Sequence, residues 1–252
     1  MAIVTLLREL FSGRAMLLAP GAVFEPAPEL IKTPARTPLP AMNANRTPAA
    51  LKFGQWTIEA TAEKLITGGA SRAIFVSPEG DEAAAAAVMV AREMADAGLR
   101  TLLLDLSASG AVSGPMLDGV TLPGITNLLA SEAQFTEVIH GDHYSDCHVI
   151  PVGTADPAHA MRAADRLPMI MESLTTAYDV VIVECGPADA EGIRRLVGTG
   201  AEVLVSVIEP EDAAIAQTAA DLEASGYHDL IMVTPAGYQP PVTPLPDRTA
   251  TA

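Results

Sequence analysis

Six short apolar runs, each separated from the next by a helical pattern, constrain this chain more than any other feature. They lie at 72–77 (RAIFVS), 100–106 (RTLLLDL), 147–152 (CHVIPV), 179–184 (DVVIVE), 201–207 (AEVLVSV) and 229–234 (DLIMVT). Helices are expected between them at about 81–97, 124–140, 157–176, 189–198 and 211–225. A further helix is expected from Gln55 to Ile66, carrying Trp56 and stopped by Gly68-Gly69. Strands apolar along nearly their whole length are buried on both faces, and parallel neighbours need a helical crossover of fixed hand. The pattern therefore predicts an α/β fold, a doubly wound and mainly parallel sheet between two helical layers. Alanine, valine and leucine supply most of the bulk and aromatics are only 4% of residues, which suits helices lying close against such a sheet.

The organising unit runs from Arg72 to Asp105: strand, short turn, alanine-rich helix, second strand ending in an acid. Its turn reads Ser77-Pro78-Glu79-Gly80-Asp81-Glu82-Ala83. A phosphate-binding loop at this place needs Gly-Lys-Ser/Thr, because backbone N–H groups and the helix N-terminus hold the anion, the lysine reaches the outer phosphates and the hydroxyl holds magnesium. Here the lysine position carries Asp81 and the hydroxyl position Glu82. Each carboxylate close to a phosphate repels it by about 4 kcal/mol at an effective dielectric near 20. The only lysines, Lys32, Lys52 and Lys64, all precede this unit. What Asp81 and Glu82 do well is complement the dipole of their own helix. The unit thus keeps the frame of a nucleotide site, its loop Ser77, Pro78, Glu79, Gly80, Asp81 and Glu82 being vestigial, and no ATP or magnesium is expected to bind.

Net charge is −16 and unevenly placed. Residues 1–50 carry Arg8, Arg14, Lys32, Arg36 and Arg46 against Glu9, Glu25 and Glu29, a net of +2, which leaves −18 for the remainder. An acidic body opposes binding to nucleic acid or anionic lipid, which depends on neutralising phosphates. Residues 1–15 place Ile3, Leu6, Leu7, Leu10 and Phe11 at helical spacing, an amphipathic face for a partner, for a membrane surface or for the chain's own domain. Residues 16–52 form a proline-rich linker, 53–235 the α/β domain, and 236–252 a proline-rich tail expected to lack regular structure. Arg8 and Glu9 interrupt any signal-peptide core, no run is long enough to cross a bilayer, and Cys147 and Cys185 suggest no disulfide framework. A cytoplasmic location, peripheral to the inner membrane if the N-terminal helix docks there, is expected.

One polar segment gathers metal-ligand types: His140, His143, Cys147 and His148 within nine residues. Their spacing matches no established zinc pattern, and a polar loop leading into a strand explains them as simply. No Gly-x-Ser-x-Gly signature is present.

The order of these pieces resembles a known family. Strand, altered loop and a strand ending in Asp105 are followed by GITNLLASEAQFTEVI, HVIPVG, AYDVVIVECGPA and GYHDLIMVT. Over residues 53–235 this is similar to the cytoplasmic ATPase-like domain of bacterial tyrosine kinases. These accompany polysaccharide co-polymerases in capsule and exopolysaccharide export, within the deviant P-loop ATPases that also include partitioning and septum-placement proteins. The resemblance implies a P-loop-NTPase-like sandwich, and its most specific pieces are Gly124 to Ala130 and Pro151-Val152-Gly153. In the family the loop lysine and following hydroxyls hold phosphate and magnesium, at positions that here read Asp81, Glu82 and Ala83. A second acid follows the aspartate that Asp105 matches, whereas Leu106-Ser107-Ala108 supplies none. An Asp-Thr-Pro-Pro strand end reads Glu184-Cys185-Gly186-Pro187, so Asp105 and Glu184 are the vestigial catalytic positions. The family's tyrosine-rich tail is reduced to Tyr238.

The resemblance implies a non-catalytic regulatory or scaffolding protein, partnered by a membrane polysaccharide co-polymerase, an export component or a family kinase, and able to form homo-oligomers. A residual ATPase or tyrosine kinase is the alternative, using ATP and magnesium with a basic residue from a neighbouring subunit, the candidates being Arg72, Arg92 and Arg100. A positioning adaptor is the third, and it lacks the basic surface for DNA.

Overall fold

The computed structural model describes residues 54–237. The amphipathic segment with Ile3, Leu6, Leu7, Leu10 and Phe11, the linker up to Phe53, and the tail from Tyr238 onward lie outside the described residues.

Among the described residues, eight strands form one sheet. In chain order they are β1 (Gln55–Trp56), β2 (Arg72–Val76), β3 (Thr101–Asp105), β4 (His140–Gly141), β5 (His148–Ile150), β6 (Val180–Glu184), β7 (Ala201–Ser206) and β8 (Ile231–Val233). Their order across the sheet is β1-β8-β7-β2-β6-β3-β5-β4, parallel throughout except for the β4 edge. Each expected strand is present, shortened by a residue or a few. The two-residue edges β1 and β4 were outside sequence pattern, and β1 takes the start of the helix expected from Gln55: Trp56 sits on the edge strand, its ring under Lys64 Nζ.

Burial explains why period-two patterning is absent. On β2, Ile74 and Val76 enter one core with Leu102, Leu104, Val181, Val183, Val203 and Val205. Ala73 and Phe75 point the opposite way and pack with Leu103, Ile182 and Leu204. Alternate residues thus face opposite cores, and both cores are apolar.

Helix α1 (Ile58–Gly68) begins at Thr57, whose hydroxyl accepts from the Ala60 N–H at 3.3 Å, and ends at Gly69 in the left-handed region. Helix α2 (Asp81–Asp96) buries Ala83, Ala84, Ala86, Ala87 and Ala91. With α1 it covers the face of the sheet bearing Phe75. The other face carries α4 (Ile125–Leu129), α7 (Leu167–Ala177) and α9 (Ala213–Ala224). Short helices α3 (Ser113–Met116), α5 (Phe135–Val138), α6 (Pro157–Arg162) and α8 (Ala190–Ile193) complete the connections.

Three expected helices are broken. The span 124–140 divides into α4 and α5 because Ser131 adopts a positive φ of 62° and the Asn127 carbonyl accepts both Glu132 and Ala133 N–H groups. The span 157–176 kinks through a 3-10 turn at Ala164–Arg166 before α7, whose first turn contains Pro168. The span 189–198 keeps only the turn of α8, begun by Asp189, which accepts from Gly192 N–H at 2.8 Å.

Arg72 is buried at the start of β2, donating to Glu172 Oε1 at 2.6 Å and to the Leu196 carbonyl at 3.2 Å. Arg92 grips the buried Asp142 through two bonds of 2.8 and 3.0 Å, and Arg100 pairs with Asp179 at 2.6 Å. All three are committed to structural partners.

Candidate functional site

The carboxyl ends of β2, β6 and β3 converge at the loop that leads into α2, the place where open α/β sheets bind ligands. Between Val76, the last residue of β2, and Asp81, the first of α2, lie only four residues. They form a turn closed by the Gly80 N–H donating to the Ser77 carbonyl at 3.1 Å. Ser first, Pro second and Gly fourth are the residues such a turn favours. Gly80 sits at φ 87° and ψ −150°, a conformation only glycine adopts readily.

A Gly-x-x-x-x-Gly-Lys-Ser/Thr loop with Gly80 as its second glycine would start at position 75. That position is Phe75, fully buried within β2 and paired to both β6 and β7. The turn is therefore shorter than the loop of that motif, whatever its charge.

Two of its three acids, Glu79 and Asp81, are tied down internally. Glu79 accepts from two successive N–H groups beyond β7, Ile208 at 2.7 Å and Glu209 at 2.8 Å, so a carboxylate of the chain itself occupies a pair of anion-binding donors. Asp81 accepts from the Ser109 hydroxyl at 2.7 Å, fastening α2 to the loop after β3, while Glu82 is exposed. Pro78 is half-buried at the turn.

Beneath the turn lie Asp105 and Glu184, opposite one another in the β3–β6 register and both fully buried. Asp105 accepts from Ser107 N–H at 2.9 Å, Ser107 hydroxyl at 2.5 Å and Ser113 N–H at 2.9 Å. Burial raises its pKa, and those Ser107 and Ser113 bonds hold the rise in check. Glu184 has a single bond, from Gly186 N–H to Oε1 at 2.8 Å. Burial pushes Glu184 up to about 8, helped by the charges of Asp105 and Asp81 and opposed by the Gly186 bond and the Ser77 hydroxyl. The Ser77 hydroxyl lies near enough to act on the Glu184 carboxyl, yet Ser77 Oγ and Glu184 Oε2 are both buried without a hydrogen-bond partner. The site gathers Ser77, Asp81, Asp105 and Glu184, and no lysine or arginine contributes to the balance at Glu184 among the described residues.

The four candidate metal ligands are held apart. His140 Nε2 bonds the Pro123 carbonyl at 2.8 Å, His143 Nδ1 bonds Asp118 at 2.7 Å, and His148 Nδ1 bonds the Tyr178 hydroxyl at 2.7 Å. Cys147 is buried, its thiol pushed up to about 12 by desolvation. Among the described residues no three His, Cys, Asp or Glu side chains are placed to hold one metal ion.

No family model and no curated protein matches this chain. Solved structures do. It is similar to the BceF tyrosine kinase domain, with 21% identity over 71% of this chain and 74% of that one, at a TM-score of 0.53. The kinase domain of the Escherichia coli tyrosine kinase ETK is 17% identical over 70% and 74% respectively, at 0.58. The VpsO kinase domain is 18% identical over 69% and 89%, at 0.51. At these identities the likeness is one of architecture: the chain has the mainly parallel α/β fold of tyrosine kinase domains.

Proposed function

We propose that this chain is a non-catalytic relative of the tyrosine kinases of polysaccharide export, acting as a regulatory or scaffolding partner beside a membrane co-polymerase, an export component or a kinase of the same fold. The observation that carries this reading is the four-residue turn between β2 and α2, with Asp81 at the helix start and Glu79 fastened across to Ile208 and Glu209. Phosphoryl transfer works almost wholly by positioning and charge neutralisation of the phosphates. A turn lacking both the cradle and the cation supplies neither, and its carboxylates act against the substrate. The kinase domains of this fold supply the class of partner, and the amphipathic face of residues 1–15 suits a docking role at the inner membrane surface. No described helix is long and apolar enough to cross a membrane.

Incubation with labelled ATP and magnesium tests the proposal. The chain alone should incorporate no phosphate, whereas its addition should change the autophosphorylation rate of a tyrosine kinase domain of this fold by more than twofold. Self-phosphorylation of the chain, lost on changing Glu184, would contradict it.

A further inference from the structure

The chain contains one Asp-Gly pair, Asp118-Gly119, and it stands exposed just after α3. Both residues have positive φ, 51° and 72°, and the Val120 N–H donates to the Leu117 carbonyl at 3.0 Å, so 117–120 is a type I′ turn with the pair at its centre. Among aspartyl pairs Asp-Gly is the one that rearranges most readily, because glycine has no side chain to shield its amide nitrogen from the preceding carboxyl carbon. Here the carboxylate is already taken. The Tyr144 hydroxyl donates to Oδ1 of Asp118 and His143 Nδ1 donates to Oδ2 at 2.7 Å, the carboxylate being able only to accept. These two bonds hold the Asp118 carboxyl below its usual range, Tyr144 contributing more than His143. Both donors are anchored without help from Asp118. His143 N–H bonds the Met116 carbonyl at 3.0 Å, and Tyr144 N–H bonds Asp142 Oδ1 at 3.2 Å. The Arg92 guanidinium lies 5.2 Å from the centre of the Tyr144 ring while gripping the same Asp142. The nitrogen is engaged as well, Gly119 N–H donating to the Gly114 carbonyl at 2.8 Å.

We propose that Asp118 is a site of isoaspartate formation, and that Tyr144 and His143 form a guard that slows it. The reaction needs only the chain and solvent water. The Gly119 nitrogen bonds to Asp118 Cγ and gives up its proton while the carboxyl group gives up its hydroxyl, so that one water leaves and a five-membered succinimide remains. Water then adds at the ring carbonyl that belonged to the main chain and breaks its bond to the Gly119 nitrogen. The backbone now runs through Cβ and Cγ, and the former main-chain carbonyl is a free carboxylate. One water has left and one has returned, so mass and charge are unchanged. The hydroxyl leaves from the protonated acid, whereas both guard bonds favour the ionised one. Ring closure also moves both carboxyl oxygens, so both bonds must part first. The product lengthens the 117–120 turn by one backbone atom, which removes the Val120–Leu117 bond. Its carboxylate, attached directly to Cα, is one carbon too short to keep both donors. The loops at 116–120 and 142–146 then lose the two side-chain bonds that join them.

An isoaspartyl methyltransferase with a labelled methyl donor esterifies the new carboxylate and so counts the product on the full chain; peptide mapping places it. The chain is held at 37 °C and pH 6 for several weeks, folded in one arm and unfolded in urea in the other. Asp118 of the unfolded wild type should convert steadily, and the folded wild type at least about tenfold more slowly. Tyr144→Phe keeps the ring, its Arg92 contact and the backbone bonds, and removes only the hydroxyl. It should raise the folded rate at least about fivefold, the effect expected from losing one hydrogen bond to a charged group. His143→Ala should raise it as well. Circular dichroism checks that each variant is folded, and the comparison of folded with unfolded wild type needs no variant. Product at other aspartates in place of Asp118, equal rates for folded and unfolded wild type, or a Tyr144→Phe rate no higher than that of the wild type overturns the guarded site.

Discussion

Gly124→Ala should cost at least about 4 kcal/mol, a large part of a domain's stability. A Cβ at Gly124 would lie 2.0 Å from the Pro151 carbonyl oxygen and 2.6 Å from the Gly153 nitrogen. Both are backbone atoms of the strand-like segment after β5, held there by Ile125 N–H to Pro151 O and Thr126 N–H to Val152 O, each at 2.9 Å. Neither can retreat without breaking those bonds. The same knot is closed by Asn127, whose Oδ1 accepts from Gly124 N–H at 3.1 Å and Thr154 N–H at 2.8 Å. Ordinary overpacking costs about 1–3 kcal/mol when side chains can repack; contact with fixed backbone exceeds that range. Urea denaturation monitored by circular dichroism measures it, and a loss under 1 kcal/mol would mean that the 124–127 and 151–154 segments are not locked together.

Glu184→Gln should stabilise the protein at alkaline pH, on the order of 4 kcal/mol at pH 9, with little effect at pH 4. The sign follows from proton counting. The folded protein holds a proton on Glu184 up to about 8, whereas the unfolded chain releases it near 4.5. Between those values the native state binds more protons, so stability is fullest below 4.5 and drains away as pH rises through 8. Glutamine presents the same shape without a charge to desolvate, and its amide can donate toward Ser77. Burial raises Asp105 in the same direction, so part of the slope should persist in the variant. Denaturation midpoints at pH 4, 7 and 9 decide the matter: parallel curves for wild type and variant would place Glu184 in a far more polar setting than its burial implies.

Most of the architecture was legible because it rests on apolar runs. Residues 72–76 and 180–184 are buried end to end, and between the charged end residues Arg72 and Glu184 a strand buried on both faces reads as a continuous apolar run. The edges were illegible for the opposite reason: β1 and β4 are two residues long, and their pairing comes from neighbours. Helix ends failed where a backbone feature overrode propensity, as when Ser131 turned left-handed and split the helix expected over 124–140. In the site, Asp105, Glu184, Ser77 and Asp81 were nameable from strand ends and loop position. The Glu79 clasp onto Ile208 and Glu209 spans some 130 residues and no local pattern announces it. The shortness of the turn was present in the residues, since Phe75 stands where a first glycine would be needed. Its force became plain once Phe75 was fixed between β6 and β7.

Isothermal titration of the full chain with ATP and with ADP, each with magnesium, tests the central claim most directly. The short acidic turn predicts no binding heat up to millimolar nucleotide, and none for the Asp81→Lys, Glu82→Ser double variant either, because two corrected side chains do not lengthen the loop. Micromolar binding by the wild type would contradict the account outright. Binding by the double variant alone would show that charge, and not the missing length of the turn, keeps the site empty.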